Sequence, residues 1–117
     1  MTPTPSEINR RLAEFAGATN FHVQWGIPAC EIKSITVPVP DYYHSADAVL
    51  PLVERVCRER GLRFDASVEH GEWDAKFIKY GREIGTHYGD TLASIVCLAL
   101  VAVLDGDSKN NNERTEP

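Results

Sequence analysis

The sequence predicts an α+β fold, a three-layer sandwich of helix, antiparallel sheet and helix. Three observations support this class. Apolar residues recur at three- and four-residue steps in three segments, which is typical of helices. In the segments between them apolar and polar residues alternate, which is typical of strands. The links between the alternating segments are short, which favours an antiparallel sheet. The predicted order is helix, strand, strand, helix, strand, strand, an optional short strand and a last helix, written α-β-β-α-β-β-(β)-α.

The first helix is predicted from Thr4 to Gly17. Thr4 and Glu7 have the spacing of a capping box, in which each side chain bonds the backbone N–H of the other residue. Pro5 is tolerated at the first helical position, and Gly17 can adopt the left-handed conformation that ends a helix. The apolar stripe of this helix consists of Ile8, Leu12 and Phe15.

Two strands follow the first helix. The alternation of residues 21–25 predicts a strand that ends at Gly26, and residues 27–31 are expected to form a connection. Residues 35–39 alternate again. Because Pro38 has no N–H to donate to a neighbouring strand, this second strand is predicted at the edge of the sheet.

The middle helix is predicted from Ala46 to Arg60, with Ser45 as its N-cap and Gly61 as its stop. Pro51 lies inside this helix and is expected to distort or kink it, since a proline ring removes one backbone hydrogen bond.

A β-hairpin is predicted next, because residues 62–68 and 73–77 alternate on either side of the tight connection at residues 70–72. Residues 84–88 form the optional short strand. The last helix follows, with Asp90 as its expected N-cap and residues 92–104 as an apolar run that is too short to span a bilayer, which needs about 20 residues. We therefore expect residues 92–104 to be the central core helix.

Length and charge restrict the classes of protein to be considered. A chain of 117 residues is expected to form one domain, here residues 1–104, followed by a polar tail at residues 105–117 that is expected to be mobile. The net charge of −5 disfavours extended nucleic acid as a partner, because such binding needs a basic face. No segment is expected to enter a membrane, and no cofactor is expected.

The cysteines indicate a reducing compartment. Cys30, Cys57 and Cys97 are odd in number and widely spaced, and no C-x-x-C pair suggests a zinc or redox site. The first eleven residues lack the apolar core of a signal peptide. A cytoplasmic location is the simplest interpretation.

Several stretches resemble the phage ABA sandwich domain, a family of small phage and prophage proteins. Pro40-Asp41-Tyr42 precedes the middle helix, and Gly89-Asp90-Thr91, followed by apolar residues that include Cys97, precedes the last. The resemblance covers roughly residues 5–104, with Leu92 where the family commonly has proline and with Pro51 as a second departure. It implies a helix–sheet–helix sandwich, a phage origin and hence the cytoplasm of a bacterial host.

A ligand site is predicted from aromatic and basic side chains outside the helices. Aromatic rings stack on base-like ligands for about 1–3 kcal/mol each, and a nearby Arg or Lys can pair with a phosphate. The tryptophans can equally be packing residues, and the cations can equally form a solvated sheet face. The candidate ligand-binding residues are Trp25, Tyr42, Tyr43, Trp73, Lys76, Lys79, Arg82, His87, Tyr88 and Thr91.

Three functions remain open. The leading hypothesis is a non-enzymatic binding protein that forms a homo-oligomer and, given the phage origin implied by the resemblance, acts as an anti-defence sponge for a nucleotide immune signal of the host. One alternative is a phage accessory protein that binds another protein through the edge strand and the adjacent Tyr42–Tyr43 pair. The other is a metal-dependent hydrolase or nuclease that uses His70, Glu72 and His87, although no catalytic motif is present and no residues are assigned as catalytic or as metal ligands.

Overall fold

The computed structural model describes the backbone of residues 3–113 and the side chains of residues 3–106. It has the predicted α+β architecture. The helices are α1 (Pro5–Phe15), α2 (Ala46–Arg60) and α3 (Leu92–Glu113), and a 3-10 turn (Tyr42–His44) precedes α2. The strands are β1 (Thr19–Gln24), β2 (Ile27–Ile32), β3 (Ile35–Pro38), β4 (Arg63–Glu69), β5 (Glu72–Lys79) and β6 (Arg82–Gly89).

The described strands form two antiparallel sheets, each in chain order. The first sheet is β1-β2-β3 and the second is β4-β5-β6. The prediction that residues 27–31 form a connection was wrong, because they belong to the central strand of the first sheet. The edge position predicted for β3, the hairpin β4–β5 and the short strand before the last helix are confirmed.

Neighbouring strands within each sheet are joined by two-residue turns in which both residues have positive φ. Such turns match the right-handed twist of the strands they connect. The pairs are Trp25-Gly26 (57° and 77°), Lys33-Ser34 (53° and 67°), His70-Gly71 (55° and 80°) and Tyr80-Gly81 (54° and 76°). The Trp25-Gly26 turn explains the missed strand, because it ends β1 one residue before Trp25 and starts β2 directly after Gly26.

The helix ends follow the local sequence signals at α1 and α2. Thr4 and Glu7 form the predicted capping box, with N···O distances of 2.8 and 3.2 Å. Ser45 accepts a hydrogen bond from the first turn of α2, and Gly61 ends that helix at φ 66°. The helix α2 continues through Pro51 without interruption.

The start and the end of α3 differ from the predictions. Thr91, rather than Asp90, accepts the hydrogen bond from the backbone of Ser94 at 3.4 Å, so Thr91 is the N-cap. The helix continues beyond Leu104 to Glu113, and Asp105 forms a 3.0 Å ion pair with Arg11 of α1. Side chains 107–113 and residues 114–117 lie outside the described part, so a mobile tail there stays a prediction.

The core is organised around α3, which packs against β5 and β6 and also contacts α1 and α2. The apolar residues of α3 between Ala93 and Leu104 are mostly buried, as expected for a central core helix. Cys30 of β2 is fully buried and connects the first sheet to this core. Among the described residues no helix combines the length and the apolar character that crossing a membrane requires.

A β-bulge in β6 lets α3 approach closely. Ala75 pairs with His87 and Phe77 pairs with Ile84, so β6 has one extra residue between the two pairs. Gly85 lies in this bulge at φ 64°, and a Cβ there would be 2.8 Å from the carbonyl oxygen of Ala99. A glycine is therefore required for the observed distance between β6 and α3.

Candidate functional site

The structure separates the ligand-binding residues predicted from the sequence. Tyr42 is 5% exposed and belongs to the core, where its carbonyl accepts a hydrogen bond from the Cys97 thiol at 3.0 Å. Tyr43 is half-buried, and its backbone N–H donates to Asn9 Oδ1 at 2.9 Å. Tyr42 is therefore a packing residue in this structure, and the Tyr42–Tyr43 pair does not form an exposed aromatic surface.

Trp73 and Lys76 lie on opposite faces of the second sheet, because side chains three residues apart on a strand point to opposite sides. Trp73 packs against the core, whereas Lys76 forms a 3.3 Å ion pair with Glu83 on the other face. These two residues cannot line the same pocket.

The remaining predicted residues of the second sheet are dispersed. Lys79 and Arg82 flank the Tyr80-Gly81 turn, with the Lys79 ammonium 5.9 Å from the centre of the Tyr80 ring. Tyr88 is exposed on β6, and Thr91 caps α3. His87 lies on the α3 side of β6, where its Nδ1 is buried and has no hydrogen-bond partner in the described part of the chain.

The proposed metal set is not assembled. Within the described residues no three His, Cys, Asp or Glu side chains are placed to hold a metal ion. His70 is in an exposed turn, where its Nε2 lies 3.9 Å from the carboxylate of the neighbouring Glu69. The geometry therefore gives no support to a metal-dependent reaction at His70, Glu72 and His87.

A different site lies between α1, the first sheet and the segment before α2. This cleft, which we call the α1 cleft, has a volume of about 710 Å³. That volume falls within the range of about 300–1,000 Å³ found for small-molecule sites. Its lining combines apolar and polar side chains, namely Pro5, Ser6, Asn9, Arg10, Phe21, His22, Val23, Pro28, Ala29, Val39, Asp41 and His44.

The acidic residue of the α1 cleft is Asp41. Asn9 Nδ2 donates to Asp41 Oδ1 at 3.1 Å, and the Asp41 carboxylate also lies 3.0 Å from His44 Nδ1. The hydrogen bond from Asn9, with a smaller effect of His44, lowers the pKa of Asp41. Asp41 is therefore held as a carboxylate that can accept a hydrogen bond from an amino or hydroxyl group of a ligand.

Arg10 and His22 are basic residues that line the α1 cleft. The Arg10 guanidinium lies 4.6 Å from the centre of the Phe21 ring, an arrangement that supports a planar cation on an apolar surface. His22 Nδ1 donates to the carbonyl oxygen of Asn20 at 2.7 Å, and its Nε2 is 3.3 Å from Gln24 Oε1. These two acceptors, the Asn20 carbonyl first, raise the pKa of His22, so the protonated ring is favoured.

None of the ten residues predicted to bind ligand lines the α1 cleft. The sequence contains local signals for two of its residues, since Asp41 belongs to the Pro-Asp-Tyr motif and His22 alternates with apolar residues in β1. Neither signal indicates a cleft, because the lining residues come from α1, the first sheet and the segment before α2.

The cysteines are not prepared for nucleophilic chemistry. Burial raises the pKa of all three thiols, and it raises the pKa of Cys97 to about 12 with a smaller effect of the Asp41 charge. Since the thiolate is the reactive form, buried thiols of this kind are inert. Cys30 and Cys97 are fully buried and act as small apolar side chains.

The fold and the α1 cleft together describe an α+β protein with a ligand-sized cleft of mixed polarity. Comparison of the chain with family models, with curated proteins and with solved structures gives no significant match. The family resemblance of the sequence is therefore a hypothesis, and the geometry of the α1 cleft is the main basis for a functional proposal.

Proposed function

We propose that this chain is a non-enzymatic binding protein that takes up a small nucleotide-like molecule in the α1 cleft. The observation that carries the proposal is the lining of the cleft, which combines the cations Arg10 and His22 with the carboxylate of Asp41 and with apolar side chains. A ligand that has an anionic group, an apolar surface and hydrogen-bond donors matches this lining.

The chemistry of a nucleotide fits each part of the cleft. A phosphate can accept two hydrogen bonds from the planar Arg10 guanidinium, and protonated His22 adds a second positive charge. The apolar wall, which includes Phe21, Val23 and Val39, offers contact to a base or a ribose. The exocyclic amino group of a base, or a ribose hydroxyl, can donate to Asp41.

Sequestration is compatible with a binding cleft and with the finding that no metal-holding cluster is present among the described residues. In its specific form, the proposal is an anti-defence sponge that removes a nucleotide immune signal in the cytoplasm of a bacterial host. This specific form rests on the resemblance to the phage sandwich family, whereas the binding of a nucleotide-like molecule rests on the cleft. The two parts can fail separately.

Isothermal titration of the full chain with cyclic nucleotides and ADP-ribose-type nucleotides tests the proposal. We expect at least one of these compounds to bind, and we expect Arg10→Ala to weaken its affinity by roughly tenfold or more, since loss of a charge-assisted hydrogen bond costs about 1.5–3 kcal/mol. The affinity should also fall as the pH rises through the raised pKa of His22.

Two control variants locate the site. Arg58→Ala removes the same charge from an exposed ion pair on α2 and should leave the affinity unchanged. Arg82→Ala removes a cation of the second sheet that the sequence predicts to bind the ligand. A loss of affinity in Arg82→Ala but not in Arg10→Ala would move the site away from the α1 cleft, and failure of every nucleotide to bind would reject the proposed ligand class.

A further inference from the structure

The carboxylate of Asp41 is held in place by side chains from two elements and still has room for a ligand. Asn9 Nδ2 of α1 donates to Oδ1 at 3.1 Å, and His44 Nδ1 of the 3-10 turn lies 3.1 Å from Oδ1 and 3.0 Å from Oδ2. A carboxylate can accept about four hydrogen bonds, and these contacts use only part of that capacity. The side chain of Asp41 is 58% exposed, so a ligand in the α1 cleft can reach it.

The link between α1 and the 3-10 turn does not require the negative charge of Asp41. Asn9 Oδ1 accepts the backbone N–H of Tyr43 at 2.9 Å, and this hydrogen bond does not involve the carboxylate. The contacts of Asp41 with Asn9 and His44 need an oxygen acceptor, which the amide of an asparagine also provides. The charge itself is therefore available for a role in ligand selection.

The ionisable residues that line the α1 cleft nearly balance each other in charge. Arg10 is always protonated, and the hydrogen bond from Asn9 lowers the pKa of Asp41, so these two charges oppose each other at neutral pH. His22 and His44 are the other titratable residues of the lining, and each adds a positive charge only when it is protonated. Glu31 adds a negative charge close enough to act on His22. The cleft can therefore neutralise only a small negative charge on a ligand.

A single phosphate group matches this charge balance better than a chain of phosphates. A phosphate monoester carries about −1.5 to −2 charges at pH 7, which Arg10 and the two histidines can offset. Each further phosphate adds negative charge for which the lining has no further cation. That charge is repelled by the Asp41 carboxylate, and a site gains specificity when it repels the wrong ligand as well as attracting the right one.

We propose that Asp41 determines the specificity of the α1 cleft, which takes a nucleotide with a single phosphate group and disfavours nucleotides with two or three. This inference rests on the proposed function, since it takes the ligand to be a nucleotide-like molecule bound in that cleft. The carboxylate acts in two ways, because it accepts a hydrogen bond from an amino or hydroxyl group and repels phosphates beyond the first. A ligand without such a donor loses the first contribution, and a ligand with a phosphate chain meets the second.

Isothermal titration of the full chain with the mono-, di- and triphosphates of adenosine, guanosine, cytidine and uridine tests this inference. The buffer contains a chelator, because a bound magnesium ion would neutralise part of the phosphate charge. For the nucleoside whose monophosphate binds most tightly, we expect the triphosphate to bind more weakly by roughly tenfold or more, since like charges a few ångströms apart repel by about that amount near a protein surface. The diphosphate should lie between the two.

Two isosteric variants assign this selectivity to Asp41. Asp41→Asn removes the charge and keeps an oxygen acceptor, so the ratio of the triphosphate to the monophosphate dissociation constant should fall by roughly threefold or more. Asp65→Asn makes the same change to the net charge of the chain, but in an exposed ion pair with Arg63 on the second sheet. We expect Asp65→Asn to leave the ratio unchanged.

The possible outcomes separate this inference from the proposed function. A triphosphate that binds the wild-type chain as tightly as its monophosphate overturns the inference and leaves the proposed function in place. This comparison uses only the wild-type chain and does not depend on the folding of a variant. An equal change of the ratio in Asp41→Asn and Asp65→Asn also overturns the inference, because the net charge of the chain would then explain the selectivity. If none of these nucleotides binds, the inference is wrong, whereas the proposed function is decided by the cyclic and ADP-ribose-type nucleotides.

Discussion

Asn9 of α1 holds Asp41, 32 residues further along the chain, through a 3.1 Å hydrogen bond from its side-chain nitrogen. The side-chain oxygen of the same residue accepts the backbone N–H of Tyr43 at 2.9 Å. One amide group therefore fixes both the carboxylate of the α1 cleft and the start of the 3-10 turn relative to α1. The position of Asp41 in the cleft depends on this contact.

Replacing Asn9 with Ala should lower the free energy of unfolding by roughly 1–3 kcal/mol, because two hydrogen bonds are lost and each typically contributes about 0.5–1.5 kcal/mol. Urea unfolding monitored by circular dichroism measures this change. Glu14→Gln alters another polar side chain of the same helix, which forms an exposed 4.0 Å ion pair with Arg10. Its free energy of unfolding should stay within about 0.5 kcal/mol of that of the wild type. An equal effect of both substitutions would show that Asn9 has no special structural role.

The lowered pKa of Asp41 makes part of the stability depend on pH. Because the pKa in the folded state lies below the unfolded value of about 3.8, the contribution is present above pH 3.8 and is lost as the pH falls through the folded pKa. Asp41→Asn should remove this dependence. We therefore expect the difference in unfolding free energy between wild type and Asp41→Asn to be larger at about pH 6 than at about pH 2.5.

Urea unfolding of both proteins at the two pH values measures this difference. The pKa of Glu7 is also lowered, mainly by its hydrogen bonds with Thr4, but Glu7 is present in both proteins and its effect cancels. A difference that does not change between the two pH values would contradict the link between Asp41 ionisation and stability.

Gly85→Ala should be more destabilising than Gly81→Ala, although both glycines have positive φ. A Cβ at Gly85 would lie 2.8 Å from the Ala99 carbonyl oxygen and 2.9 Å from Val103, whereas a Cβ at Gly81 meets nothing within 4 Å. Both variants incur the backbone cost of about 1–2 kcal/mol, and Gly85→Ala adds an overpacking cost of about 1–3 kcal/mol. The losses of unfolding free energy in the two variants, measured by thermal and urea unfolding, should therefore differ by this overpacking cost. Equal losses would mean that α3 can move away from β6 at little cost.

The cysteines should react with a thiol reagent in a defined order. Cys57 is half-buried, whereas Cys30 and Cys97 have no exposed surface, and burial raises the pKa of Cys97 to about 12. We expect the native protein to show one faster-reacting thiol at about pH 8, with all three reacting after unfolding in urea. Cys57→Ser should remove the faster phase. Rapid labelling of Cys97 in the native protein would show that the core around α3 opens readily.

The sequence alone predicted the elements whose signals are local. The Thr4–Glu7 capping box, the stop at Gly61 and the hairpin turn at His70-Gly71 each depend on residues a few positions apart, and the structure confirms all three. The Trp25-Gly26 turn has the same kind of signal. Its tryptophan continues the alternation of β1, so the pattern predicts a strand residue at Trp25 and gives no sign of β2.

The tertiary structure alone decided which side chains meet. Arg10, Phe21 and Asp41 come from a helix, a strand and a loop, and no spacing in the sequence indicates that they surround one cleft. Trp73 and Lys76 are close in the sequence, yet the alternation of a strand places them on opposite faces of the sheet. Caps and turns are determined by hydrogen bonds between near neighbours in the chain, whereas a binding site depends on how the packing of α3 and the two sheets brings distant segments together.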